Sequence, residues 1–270
     1  MNGAKRETIT ENLTNRRKKK DGVAPKIMAN LPQNFLFRFA FPCRRLDEAT
    51  ETAAFGGAAL NAETLDANYR LPFWTETRPV SGLGRGREPG PSTPRSPENE
   101  GLFDFRIAWS PRGLLLTTVV SGRRRAARRA PTELDATDSL RLCLDTRDVK
   151  EARRAGRFCH KFLFYPFVGK TDDAERPSAV WAPINRAKES PSPVDVGEFR
   201  LASERRVDGF AFSAAIPASA LTGFDPTDFR RLGLHFSQRD EERGAFDLQL
   251  GEPFPIEDDP SLWTSLELVE

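Results

Sequence analysis

The chain has 270 residues, 38% hydrophobic and 30% charged, enough for one large domain or two small ones. No stretch approaches the roughly 18 apolar residues that crossing a bilayer as a helix requires. Residues 1–30 hold eight Lys and Arg against three Asp and Glu, a net of +5, which leaves 33 basic and 36 acidic residues, a net of −3, for 31–270. A mildly acidic body argues against a general polyanion-binding domain, so nucleic acid is not an expected partner.

The first 30 residues are polar, charged and without period, which predicts a disordered tail. No apolar segment follows Lys20, so the basic run is not a secretory signal. Cys43, Cys143 and Cys159 are odd in number and far apart, a usage that gives neither a disulfide framework nor a zinc spacing. A reduced, cytoplasmic protein is the expectation. Met28, which opens the phrase MANLPQNF, is a candidate translation start.

From Asn34 the pattern takes period two. Phe35, Phe37, Phe39 and Phe41 fall on one face of a strand, because successive strand residues point to opposite faces. The alternation returns over 103–109, 140–144, 158–164, 210–216, 232–236, 246–250 and 262–269. Turn signals such as Ser110-Pro111-Arg112-Gly113 and Val207-Asp208-Gly209 separate the runs. About ten short strands with almost no helical period predict an all-β fold, a single antiparallel β-sandwich over 31–270. Short helical pieces are expected at 47–54, 148–155 and 217–221. Two loops stand out. Residues 79–101 hold five Pro, five Gly and three Ser, too few apolar groups to pack. Residues 121–131 place Arg123, Arg124, Arg125, Arg128 and Arg129 between two strands, and without interleaved aromatics they are expected to form a solvated loop.

The chemistry-bearing residues are few. The glycines at 82, 84 and 86 mimic a phosphate loop, but Pro89, Pro91, Pro94 and Pro97 forbid the helix whose N-terminus would meet the phosphate. His160 and His235 both fall within apolar alternation and are expected to be core histidines. There is no HExxH, no GxSxG and no cysteine pair at ligand spacing, so a non-catalytic protein is expected. Asp138, Asp145 and Asp148 flank the run at 139–144; turn and cap duty competes there with a calcium ion held by loop oxygens. Trp109 and Trp263 fall on buried strand positions. Trp74 and Trp181 lie beside prolines, where an indole can stack on a sugar ring while Asn185 and Arg186 bond its hydroxyls.

The order of several motifs adds a resemblance. The run from Asp138 to Asp148, Arg157-Phe158-Cys159-His160-Lys161-Phe162, Asp208-Gly209-Phe210, the segment from Ile216 to Gly223 and Asp259-Pro260-Ser261-Leu262-Trp263 together resemble carbohydrate-binding module family 9, among the DOMON-like sandwiches. Ile184-Asn185-Arg186-Ala187-Lys188-Glu189 is similar to a phrase of free-standing bacterial proteins that share this module. The resemblance covers about 100–270, and 34–78 more loosely. It implies a jelly-roll-like sandwich, a sugar held by a tryptophan pair, and calcium as a structural ion. Trp74 is matched loosely to the first tryptophan of that pair. This chain departs from the pattern in one respect, since Asn185 follows Trp181 where members place an Asn before it. The candidate ligand residues, read from their own positions, are Trp74, Trp181, Asn185 and Arg186, with Asp138, Asp145 and Asp148 for the metal. The competing readings are a sandwich that has lost sugar binding and presents a surface to a protein partner, and a haem-binding sandwich. Met1 and Met28 lie outside the predicted sandwich, so haem would need His160 and His235 in one cavity.

Overall fold

Period-two alternation in the sequence becomes strand in the structure, a computed structural model that describes residues 40–57, 59–71, 103–248 and 254–270. The tail at 1–30, Phe35, Phe37, Phe39, Trp74 and the loop at 79–101 lie outside the described residues. Eleven strands are formed among those described: β1 (Ala40–Arg45), β2 (Phe103–Ser110), β3 (Gly113–Val120), β4 (Ser139–Asp145), β5 (Cys159–Val168), β6 (Arg176–Trp181), β7 (Arg200–Arg206), β8 (Gly209–Pro217), β9 (Arg231–Asp240), β10 (Gly244–Asp247) and β11 (Thr264–Val269). The alternation did not mark β3, β6 and β7. β3 is buried on both faces, so its sequence, GLLLTTVV, reads as a continuous apolar run; β6 and β7 are largely half-buried strands.

The strands follow the order β6-β5-β4-β9-β11-β1-β2-β3-β8-β7, with β10 added against β9. Every ladder is antiparallel except the two made by β1, which runs parallel to both β11 and β2. β1 thus joins two antiparallel layers, β6-β5-β4-β9-β11 and β2-β3-β8-β7, whose outer members β6 and β7 also approach each other. The result is the expected β-sandwich, folded nearly into a barrel and carrying one parallel strand. Tight turns enforce the antiparallel pairing. At Gly113, φ is 144° and a Cβ would lie 2.0 Å from the Ile216 carbonyl oxygen, so only glycine closes the β2–β3 hairpin there.

The phenylalanine and leucine rows meet between the layers. Phe105 of β2 stacks on Phe236 of β9 at 3.8 Å between centroids, Phe164 of β5 meets Phe212 of β8 at 5.7 Å, and Phe167 meets Phe210 edge-on at 5.8 Å. Each ring withdrawn from water contributes roughly 2–3 kcal/mol before the entropy of ordering it. A one-residue slip of any central strand would turn its row outward, which fixes the register.

Each layer is covered on its outer face. Residues 59–71 and α1 (Glu48–Phe55) lie over β2, β3 and β8, with Leu65 and Ala54 against Ala108, Leu115 and Ala215. Asp47 caps the start of α1, accepting from the Thr50 N–H at 2.8 Å. Its last turn has no basic residue of its own; Arg200 supplies the charge from β7, donating to the Ala53 and Ala54 carbonyls at 2.8 and 2.6 Å. Over the other layer, Ile184, Ile256, Leu262 and Trp263 pack on Cys143 and Cys159. Trp263 is fully buried and donates to the Ile256 carbonyl at 2.6 Å. The helix expected at 148–155 is a series of turns, because Asp145 captures the Arg147 and Val149 N–H groups and Asp148 takes a left-handed φ of 49°. The piece at 217–221 is a single 3-10 turn, Ala218–Ala220.

Candidate functional site

Three segments meet at one edge of the outer cover: the turns after β4, the turn after β6, and the approach to β11. Trp181 is the last residue of β6, opposite Phe162. Its ring is half-buried against the interior, and its indole nitrogen is buried without a hydrogen-bond partner. Beyond it the chain dips, burying Ile184 among Cys159, Ala155 and Trp263. It then turns back, the Ala187 N–H donating to the Ile184 carbonyl at 3.3 Å. Asn185 and Arg186 are thereby lifted to the exposed tip of this turn.

The tip is held from below. Arg154 donates through Nε to the Arg186 carbonyl at 2.8 Å and through Nη2 to the Ala187 carbonyl at 3.3 Å. Arg186 itself adopts a φ of 56°, a left-handed conformation that a side chain with a Cβ enters at roughly 1–2 kcal/mol. On the far side the Asn185 amide donates to Asp258 Oδ2 at 3.1 Å. Asp259 accepts from the Ser261 N–H and hydroxyl at 3.0 and 2.6 Å. Between these groups lies an open groove of ≈ 730 Å³ lined by Arg153, Arg154, Asn185, Arg186, Pro255, Asp258 and Asp259.

The structure therefore brings two of the predicted ligand residues, Asn185 and Arg186, into one groove and leaves Trp181 out of it. Trp181 instead lines a separate crevice with Ala155, Cys159 and Ile184, only ≈ 10 Å³ in volume, about the room for one water. Trp74 lies outside the described residues. Arg153, Arg154 and Asp258 were not singled out by the sequence. They stand 32 to 73 positions from the residues they face, and no local pattern encodes such a distance.

The three carboxylates implied for a metal do not meet. Asp138 precedes β4 and Asp145 ends it, a separation of roughly 20 Å at strand rise. Asp138 is buried and lies 2.9 Å from Arg123 Nη1. Asp145, at the other end, is occupied by the backbone N–H groups of Arg147 and Val149 at 2.9 and 2.8 Å. Burial raises its carboxyl above the ordinary range despite those bonds. Asp148 pairs with Lys150 at 2.5 Å and accepts from the Ser265 hydroxyl at 2.6 Å. Among the described residues no group of three or more acidic, His or Cys side chains is placed to hold a metal ion. These residues do not fit the implied calcium.

One further expectation is corrected, and the buried histidines are placed. Arg123 does not belong to a solvated loop. Its side chain is buried and shared by Asp138 and by Asp240, the latter through a 3.0 Å hydrogen bond. Burial pushes the Asp240 carboxyl upward against the pull of Arg123. Arg124, Arg125 and Arg128 are exposed as expected. The histidines are both buried, but not in one place. His160 faces the sandwich interior beside Phe162 and accepts from the Thr222 N–H at 3.0 Å. His235 pairs with Cys143 in the ladder and so lies on the outer face, beneath Glu257. No single cavity holds both imidazoles, and His/His haem ligation is not available. Glu257 closes this outer face, bonding Arg141 at 2.7 Å and Lys161 at 2.5 Å. Burial alone would raise its carboxyl, but the two cations outweigh it and hold it down to about 2.

Fold and groove together describe a two-layered β-sandwich with an arginine-lined groove on its rim. No protein-family model and no curated protein matches the chain. Among solved structures it is similar to a carbohydrate binding module family 9 from Caldicellulosiruptor kristjanssonii in complex with cellotriose, at 14% identity and TM-score 0.48 over 85% of this chain and 93% of that one. It is similar to a module of that family and organism in complex with glucose, at 14% identity and TM-score 0.47 over 86% and 95%. A candidate carbohydrate-binding protein from Bacteroides uniformis is similar at 15% identity and TM-score 0.45, over 86% and 99%.

Proposed function

We propose that the chain binds carbohydrate without transforming it, in the groove between Arg153, Asn185, Arg186 and Asp258. The observation that carries this reading is the Asn185–Asp258 pair at the groove wall. One amide N–H and one carboxylate oxygen are used on each other, so the Asn185 carbonyl and the second Asp258 oxygen remain as acceptors beside guanidinium donors. Closely spaced acceptors and fixed donors match vicinal sugar hydroxyls, each of which donates and accepts. The resemblance of the motif order over 138–263 to carbohydrate-binding module family 9 supports the same reading. The hydroxyl-matching role would rest on polar side chains, because Trp181 does not line the groove.

The test is direct titration of the full chain with sugars and a glycan array, repeated on Asn185→Ala. Saturable binding that is lost in the variant, at unchanged melting temperature, is the expected result. A chain that binds no glycan, or binds one equally well without Asn185, overturns the site. Turnover of a glycoside by pure protein, abolished by one Asp or Glu substitution, overturns the non-catalytic part.

A further inference from the structure

Resting on that reading of the groove, we infer that its ligand is an acidic sugar, a hexuronic acid residue whose carboxylate is taken by Arg153 and Arg186. The two exposed guanidiniums differ from other arginines near them. Arg141 is spent on Glu257, Arg147 on backbone carbonyls and the rings of Phe158 and Phe229, and Arg154 on the carbonyls of Arg186 and Ala187. Arg153 and Arg186 both line the groove, and neither side chain has a hydrogen-bond or ion-pair partner among the described residues. Arg186 is also held in a left-handed backbone conformation that Arg154 pins from beneath. A second arginine is thus spent on holding the backbone from which Arg186 projects at the groove.

The charge balance narrows the ligand. Three arginines line the groove against Asp258 and Asp259, a formal +1, which one carboxylate neutralises and a phosphate dianion would overshoot. Planar guanidinium donors suit a planar carboxylate. The acceptors on Asn185 and Asp258 have no use for a bare anion but do receive the hydroxyls of the sugar ring. A ligand that satisfies both ends of the groove carries hydroxyls and one carboxylate on the same small frame.

Calorimetry on the full chain at low salt, with glucuronate, glucose and inorganic phosphate as probes, tests the inference. Glucuronate is expected to bind about tenfold or more tightly than glucose, the worth of one charge-assisted contact. In Arg153→Gln and in Arg186→Asn, the latter chosen because Asn tolerates the left-handed region, that ratio is expected to fall toward one. Equal affinity for glucuronate and glucose in the unaltered chain overturns the acidic preference and leaves the carbohydrate reading standing. Phosphate binding as tightly as glucuronate shows a general anion site and overturns the inference. A chain that binds neither sugar overturns the inference, while the glycan array decides the carbohydrate reading separately.

Discussion

His160 and His235 stand on opposite faces of the same sheet layer, paired in the β4 ladders with consecutive residues: Leu144 lies across from His160 and Cys143 across from His235. Burial pushes each imidazole down to about 4, so both are neutral in the folded chain at neutral pH. The unfolded chain binds the protons first, near pH 6.5. Stability is therefore intact above about pH 6.5 and falls on acidification between about 6.5 and 4, by roughly 1.4 kcal/mol per pH unit for each histidine. Glu257 works in a separate window. Its depressed carboxyl adds stability above its ordinary value of 4.5, which is lost as pH falls toward about 2. Urea midpoints measured from pH 4 to 7 should show the histidine slope. A flat profile would contradict the buried, neutral placement.

The triad of Arg123, Asp138 and Asp240 makes a sharp stability prediction. Arg123→Met leaves two carboxylates buried without their cation and should cost about 3–5 kcal/mol. Adding Asp138→Asn and Asp240→Asn to it should recover most of that loss. Each amide oxygen can still accept the backbone N–H groups at 241, 242 and 243 that now bond the carboxylates at 2.8–2.9 Å. Arg128, 72% exposed, is the control, and Arg128→Ala should shift stability by no more than about 0.5 kcal/mol. Denaturant unfolding of the three variants decides between a buried triad and a solvated arginine loop.

Trp181 and Asn185 should separate cleanly. Trp181→Ala removes a half-buried ring from the interior cluster and is expected to cost about 3 kcal/mol. Asn185→Ala, at an exposed turn, should cost less than about 0.5 kcal/mol while weakening sugar binding. Thermal melts paired with titrations check both halves. The reverse pattern would make Trp181 the ligand contact and Asn185 the structural one.

Chelation offers a fourth check. Asp145 and Asp148 spend their oxygens on backbone amides, Lys150 and Ser265, so EDTA should leave the melting temperature unchanged. Asp145→Ala should lower stability by about 1–3 kcal/mol through the amides it leaves unpaired, equally with and without calcium. A calcium-dependent melting shift that this substitution abolishes would show the carboxylates to be ligands.

What the sequence determined by itself was the layered β architecture. Side-chain direction in a strand repeats every two residues, so the rows at 103–109, 140–144, 210–216 and 232–236 state their own buried face locally. Turn glycines and prolines state the boundaries in the same local way, and the short helical piece expected at 47–54 is α1. His235 shows the limit. It sits among apolar residues in sequence, yet parity puts it opposite Leu234 and Phe236, on a face that is buried only because residues 254–263 fold over it.

The site was decided at the tertiary level. Asn185 and Arg186 were legible as exposed polar residues beside a proline turn, but their partners Arg154 and Asp258 come from segments that only packing brings near. The same holds for Arg123. Five arginines in one loop look equally solvated until the fold places one of them between two carboxylates from β9 and the approach to β4. Charge pairing over such separations depends on where strands end in space, which backbone periodicity does not encode. Burial of a polar group is set by what the rest of the chain lays across it.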